Sequence, residues 1–438
     1  MALESLSTSG SAQTIDSVGP TPSGDRIVAL DVLRGFALLG ILLVNIMGFS
    51  GNWPGIQEWP GIANQAVLGF IQYFARAKFI SLFALLFGIG FAIQIARLEE
   101  KTGNYLWTYG RRLLVLYLFG LVHLTLSSDV LYKYAMCGAL LLLFRRVSLQ
   151  ALLLWALLIM PLPYLHLAIV STSATVEPIA QVLEEAEQTD QQTEQQVANV
   201  DADTDADFGW NRYAEERAVR AYSDGDLAEV LTFNIQFSVS RLTSSWVNYL
   251  WDLSFPLSLM LIGVFIGRRK ILRRIHDEMP LLRKTFWLGL GFGAAASWFS
   301  WVLFDWASMV GWDPWLDSAG NVLFVLGSWS MALGYGAGIV LLIQRDFWKK
   351  ILAPLQAVGR LALSNYLLQT LICTTIFNAY GFGLYGKLGP ATVALMAIAI
   401  FVVQVALSVL WIRRFRFGPA EWLWRSATYC RLQPMRIT

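Results

Sequence analysis

Histidine and cysteine are the scarce residues of this chain, with three of each among 438. Charge is scarce too, at 15% of residues, against 56% hydrophobic. So little charge over so long a chain excludes an ordinary soluble globule and points to a polytopic membrane protein. Cys137, Cys373 and Cys430 fall in or beside apolar segments without metal-ligand spacing. Neither a disulfide framework nor a metal site is therefore expected. The chain has no phosphate-cradling glycine loop and no nucleophile elbow, and no nucleic-acid partner is expected. No basic segment followed by a small-residue cleavage site opens it, so a removable signal peptide is not expected. What it does have is 18 Trp and 15 Tyr, rings that anchor helices at lipid–water interfaces.

The stretch 26–50 organises the rest. It is long enough to cross a bilayer as a helix, yet it carries Asp31 and Arg34 in its first turns. Ionised groups at that depth are costly and face protein or water rather than lipid. Three residues apart, the two share a face and can pair. Helical spacing carries that face on through Leu38 and Leu42 to Asn45, roughly 16 Å from Arg34. This polar seam calls for a cavity or a partner bundle.

The chain divides into a disordered cytoplasmic tail (1–25), a membrane half (26–170), an acidic linker with outer-face amphipathic helices (171–245), and a second membrane half (246–438). Residues 51–77 read as an interfacial piece ending at Arg76. Spans are expected near 27–50, 78–97, 112–127, 129–144, 148–170, 246–267, 284–306, 319–344, 359–380 and 390–412. The fold class is thus all-α, ten transmembrane helices in two five-helix halves. With the N-terminus inside, 24 of the 33 Lys and Arg are cytoplasmic and eight lie outside, which fixes the orientation by the positive-inside rule and places both termini in the cytoplasm. Gly263 and Gly267, Gly289 and Gly293, and Gly334 and Gly338 form small-residue pairs that let helices approach closely. Pro256 is placed to break or kink the sixth span.

Three histidines constrain any acid–base chemistry. His276 sits in a basic loop and His166 near an interface. His123 lies in an apolar run, eleven residues past Arg112. It reads either as a buried structural histidine or as a general base or proton relay oriented by Asp129. Asp31–Arg34 reads as a buried lock or as an anion clamp. Asn365 and Gln369 share one helix face, where interhelical hydrogen bonding is the plainer reading and substrate contact the alternative. The run Arg268, Arg269, Lys270, Arg273 and Arg274 is accounted for by orientation alone.

Residues 30–45, 78–91, the Gly-Leu-Val-His at 120–123 followed by Asp-Val-Leu at 129–131, the Gly-Arg-Leu-Ala-Leu-Ser-Asn-Tyr-Leu-Leu-Gln-Thr at 359–370 and the Phe-Gly-Pro-Ala-Glu-Trp-Leu-Trp-Arg at 417–425 resemble the YeiB-like bacterial membrane family. That family is loosely associated with transport. More distantly, helix one is similar to that of the transmembrane acyltransferase superfamily, which includes the lysosomal heparan glucosaminide acetyltransferase and bacterial sugar O-acyltransferases. There an Arg is followed, after ten residues, by a catalytic His. Arg34 matches the Arg, and Asn45 occupies the His slot; Arg112 and His123 repeat the spacing on the third helix.

The resemblance implies an acyltransferase-like bundle in the bacterial inner membrane, taking acyl-CoA as donor. His123 would be the base and Asp129 its orienter. Asn45 would donate to the acyl carbonyl, and Arg34 with Asp31 would clamp the donor. The alternatives are a transporter of a small organic anion or lipid-linked solute, and a structural or signalling membrane protein. A homo-oligomer is left open.

Overall fold

The computed structural model describes residues 27–52, 59–101, 105–127, 130–176, 212–243, 246–310 and 313–437. The tail 1–25, Trp53 and Pro54, Asp129 and the acidic stretch from Glu184 to Asp207 lie outside the described residues. Helices dominate, in the order α1 (Val28–Phe49), α2 (Ile62–Phe70), α3 (Lys78–Lys101), α4 (Tyr105–Leu124), α5 (Leu131–Leu141), α6 (Leu149–Ile159), α7 (Leu162–Val176), α8 (Arg212–Ser223), α9 (Leu227–Thr243), α10 (Trp246–Arg268), α11 (Met279–Met309), α12 (Pro314–Leu342), α13 (Asp346–Arg360), α14 (Ala362–Phe377), α15 (Pro390–Ile412) and α16 (Pro419–Tyr429). Among the described residues, six stretches are long and apolar enough to cross a membrane, and α14 is a shorter apolar helix.

Several expected boundaries move. The stretch 148–170 is borne out as one candidate span, Leu149–Thr172, but within it α6 and α7 part at Met160–Pro161, where Pro161 has no amide hydrogen to continue the ladder. The stretch 359–380 is entered by a helix the hydropathy pattern hides. α13 is amphipathic and stops at Gly359-Arg360, with Leu361 out of helical geometry before α14 begins. Pro256 does not break α10. The piece before Arg76 is not confined to an interface. A π-helical turn, Ile71–Ala75, extends α2, and Tyr73 donates to the carbonyl of Ala294, halfway along α11. The segment therefore dips into the bundle.

Small residues set the packing. A side chain at Gly88 would meet the Met260 carbonyl, and one at Gly263 the Leu85 carbonyl, so α3 and α10 touch backbone to backbone. On α11, a side chain at Gly289 would stand 2.6 Å from the Ser330 carbonyl oxygen of α12, and one at Gly293 would stand 2.9 Å from that of Gly327. The closest crossing joins α1 to α13. A Cβ on Gly359 would stand 1.8 Å from the Asp31 carbonyl oxygen, and one on Gly35 would stand 2.2 Å from that of Leu355. Such contacts are how helices gain dispersion energy where lipid is as apolar as leucine. Larger apolar side chains fill the space between, with Leu38, Leu42, Ile46, Phe377 and Phe401 in one core and Ala84, Met260, Val264 and Leu152 in another.

The two ends of the 359–425 region hold each other. Glu421 Oε1 accepts from the Leu363 and Ser364 amides at 2.7 and 3.1 Å, and its Oε2 accepts from the Ser364 hydroxyl. The Ser364 hydroxyl in turn accepts from the Ala420 amide at 3.0 Å. Each helix thus caps the other's free amides, with a carboxylate at the positive end of α14. Burial pushes the Glu421 carboxyl above its ordinary range, and these hydrogen bonds pull it back.

Candidate functional site

One face of α1 borders an elongated cavity of about 1040 Å³. Ile27, Asp31, Arg34, Leu38, Asn45 and Phe49 all contribute, so the cavity follows α1 for roughly 33 Å, the rise of 22 residues. The seam expected along that helix is real, and what it faces is this space. Asp31 Oδ1 and Arg34 Nη1 are 3.2 Å apart. Gly90 leaves room for the guanidinium, whose Nη2 would lie 3.5 Å from a Cβ there.

Charge is uneven along the cavity. Ten basic side chains border it against three acidic ones, Asp31, Glu100 and Glu421. Most cluster where α1 begins, among them Arg97, Arg112, Lys270, Arg273 and Arg425. Lys133, near the start of α5, is neutralised by Asp252 at 2.7 Å. Arg268 is spent on structure, donating to the Val147 and Phe144 carbonyls at 2.6 and 3.0 Å and to that of Arg145. Arg112 lies 3.8 Å from the Trp424 ring centre, and the Trp424 indole donates to the Arg112 carbonyl at 2.8 Å. Arg97 Nη1 is buried without a hydrogen-bond partner. The basic run that orientation alone explained therefore also supplies Lys270 and Arg273 to the cavity.

The opposite end is polar and aromatic. The α8–α9 pair closes over it, with Tyr222 donating to Asn234 Oδ1 at 2.7 Å and Asn234 Nδ2 to the Thr125 carbonyl at 3.1 Å. The Ala379 amide donates to the Tyr222 carbonyl at 2.9 Å. Tyr222, Asn234, Asn378 and Tyr385 all border the cavity.

His123 is buried and does not border the cavity itself. Its Nε2 is 2.8 Å from Thr370 Oγ1, and its ring centre is 5.2 Å from that of Tyr366. Thr370 and Tyr366 do border the cavity. The histidine thus stands one side chain behind the wall, with a hydroxyl between it and the space. The direction of that hydrogen bond follows the imidazole tautomer.

Tyr366, Thr370, Thr374 and Asn378 recur every four residues along α14 and into the turn that follows, and all four face the cavity. Asn365 and Gln369, one residue earlier in each turn, face α15. Asn365 Nδ2 donates to Ser408 Oγ at 3.0 Å, Gln369 Nε2 to Gln404 Oε1 at 2.9 Å, and Gln404 Nε2 to the Asn365 carbonyl at 3.1 Å. The structure therefore brings Asp31, Arg34 and Asn45 to one space with Thr370. It sets His123 just behind, and puts Asn365 and Gln369 in a helix–helix network. Asp129 lies outside the described residues. Thr370 was missed, although its helical spacing from Tyr366 and Thr374 was there to be read.

Apolar helices of spanning length around one elongated, cation-rich cavity make an integral membrane protein. Residues 266–431 match the family described as a protein of unknown function (DUF418). The chain is 31% identical to the uncharacterized protein YxaH of Bacillus subtilis (strain 168), over 96% of this chain and 98% of that one. It is 28% identical to the uncharacterized protein YeiB of Escherichia coli (strain K12), over 92% and 96% respectively. No solved structure matches it. The chain belongs to the YeiB-like DUF418 family of membrane proteins.

Proposed function

We propose that the protein is an acyltransferase of the bacterial inner membrane, with ten crossings and both termini cytoplasmic. An acyl-CoA-type donor enters at the basic end, its phosphates meeting Arg97, Lys270 and Arg273 and its acyl group extending along α1. Arg34, held by Asp31, clamps the donor, and Asn45 donates to the acyl carbonyl. An acceptor hydroxyl or amine approaches from the end covered by α8 and α9. Thr370 takes its proton while passing its own to His123 Nε2, and the departing thiolate recovers that proton by the same route. The observation that supports this most is the His123–Thr370 pair at the wall of a cavity whose cations gather at one end. Purified protein in liposomes should release CoA from labelled acetyl-CoA when a membrane extract supplies the acceptor. Intact acetyl-CoA after many hours would overturn the reading.

A second reading, anion transport, draws on the cavity following the whole of α1. It predicts counterflow of a labelled organic anion without chemical change, which separates the two.

Orientation is directly measurable. Cys137 and Cys373 are buried and Cys430 is exposed. In intact cells an impermeant maleimide should leave Cys430 unmodified until the membrane is permeabilised. Leu227→Cys in a Cys430→Ser background should react at once. The reverse pattern would put the basic end outside.

The Asp31–Arg34 pair divides clamp from lock. As a lock alone, either single removal strands a charge at about 3–5 kcal/mol, and removing both restores stability and activity. As a clamp, Asp31→Leu with Arg34→Leu is stable and inactive. Arg34→Lys is impaired as well, because an ammonium cannot make the two-pronged guanidinium contact. The second pattern is expected, read from thermal unfolding and turnover together.

A further inference from the structure

The break between α2 and α3 lies deep in the bundle. Three contacts measure its depth. Phe79 packs on Gly40, near the middle of α1; Tyr73 donates to the Ala294 carbonyl in the middle of α11; and Tyr335, well inside α12, donates to the Phe74 carbonyl at 2.9 Å. Here the π-helical turn Ile71–Ala75 ends, Arg76 is extended (ψ 129°), and Ala77 takes φ +65°, a left-handed backbone in a residue that disfavours it. α3 then starts at Lys78 with no acidic residue in its first turn.

Lys78 is fully buried, at 0% exposure, and its Nζ has no hydrogen-bond partner. It lies 4.7 Å from the Phe324 ring centre, and the Arg76 guanidinium lies 5.9 Å from the same centre. One turn on, Ser81 Oγ is likewise fully buried and unpartnered. Ser328 Oγ, one turn past Phe324 on α12, is in the same position. These groups are an ammonium and two hydroxyls, beside a guanidinium and the first amides of a long helix. All can donate, and the helix end adds its own positive field. Among the described residues no acidic side chain answers the Lys78 charge. A buried ammonium at a helix N-terminus inside a membrane protein is costly until an anion joins it, and the Arg76 guanidinium, itself bonded to Gln72 Oε1 at 3.0 Å, adds positive field beside it. Interrupted helices at mid-depth are where membrane proteins present free backbone ends to ions.

We infer that the α2–α3 break binds a small monovalent anion, a halide or a carboxylate, between Lys78 Nζ, Ser81 Oγ and the α3 N-terminus. The site is separate from the long cavity, which neither Lys78 nor Ser81 borders, and it holds whether that cavity serves transfer or transport.

The test is thermal unfolding of the purified full chain in detergent. Ionic strength is kept constant with sodium isethionate while chloride or acetate replaces it. Wild type should gain stability saturably with chloride, acetate or both, and the ion that acts names the class. Lys78→Met, which fills the slot without charge, should show a flat response. Ser81→Ala should need about tenfold more anion, the weight of one hydrogen bond to a charged partner. A wild-type response that is flat for both ions would overturn the site and mean that burial alone holds the amine neutral. Equal titrations in wild type and Lys78→Met would overturn it too, by placing the anion elsewhere. If Lys78→Met does not fold, an unchanged midpoint in Ser81→Ala is the overturning result.

Discussion

His123→Ala is expected to lower turnover by roughly 100- to 10,000-fold, the range for a lost general base, while the protein stays folded. Its cost in stability includes that of the buried hydrogen bond to Thr370, about 1–3 kcal/mol. Two companion variants separate chemistry from scaffold. His123→Gln retains an amide that can bond Thr370 Oγ1 but cannot take up a proton, so it should recover stability and remain inactive. Thr370→Val removes the hydroxyl at nearly constant volume, and should also lose activity, because His123 then has no path through the wall. If the two residues act as one unit, the double variant is no slower than either single one. An active His123→Gln would leave the histidine as a packing residue, and an active Thr370→Val would remove the relay.

The largest structural effect belongs to the α1–α13 crossing. Gly359→Leu is expected to leave no monodisperse protein in detergent. Ordinary overpacking costs about 1–3 kcal/mol because side chains can shift, but here a Cβ would meet a backbone oxygen at 1.8 Å. Relief would require moving the helix that carries Asp31 and Arg34. Gly291→Leu is the control, since nothing lies within 4 Å of a Cβ there. Size-exclusion chromatography of detergent extracts distinguishes them, and a normal peak for Gly359→Leu would show that the crossing yields.

The sequence pattern reached α1 almost to the residue, because one long apolar run with two charges and an amide in register has few ways to fold. α15 was equally legible: no proline or charge interrupts it between Pro390 and Ile412. α13 was not. Asp346, Lys349 and Lys350 make it amphipathic rather than apolar throughout, so hydropathy left 345–358 between two spans, and only the close approach of Gly359 to Asp31 shows why the chain must stop and turn. The dip of α2 was hidden for a related reason. An amphipathic stretch looks the same whether its polar side meets water or a neighbour's carbonyls.

Along α14 the plainer reading of Asn365 and Gln369, hydrogen bonding between helices, is what their contacts with Ser408 and Gln404 show, while the cavity-facing stripe beside them went unread. Asn365 and Gln369 stand about 100° from Tyr366 and Thr370, and two adjacent polar stripes cannot be ranked without knowing where the neighbouring helices sit. His123 was found by its rarity. What it touches, Thr370 of a helix 247 positions away, no local pattern could supply.

The mutual capping of α14 and α16 has a consequence for biosynthesis. α14 carries Thr370 and the polar stripe of the cavity, yet its free amides are met by Glu421, which leaves the ribosome after α14 and α15 have emerged. Until then that wall lacks its cap, and the basic end of the cavity lacks Arg416, Trp424 and Arg425. The earlier helices can enter the membrane and pack while the chamber is still open. It becomes able to hold a ligand only once the region after α15 has folded back, so assembly of the site is a late event in the life of the chain.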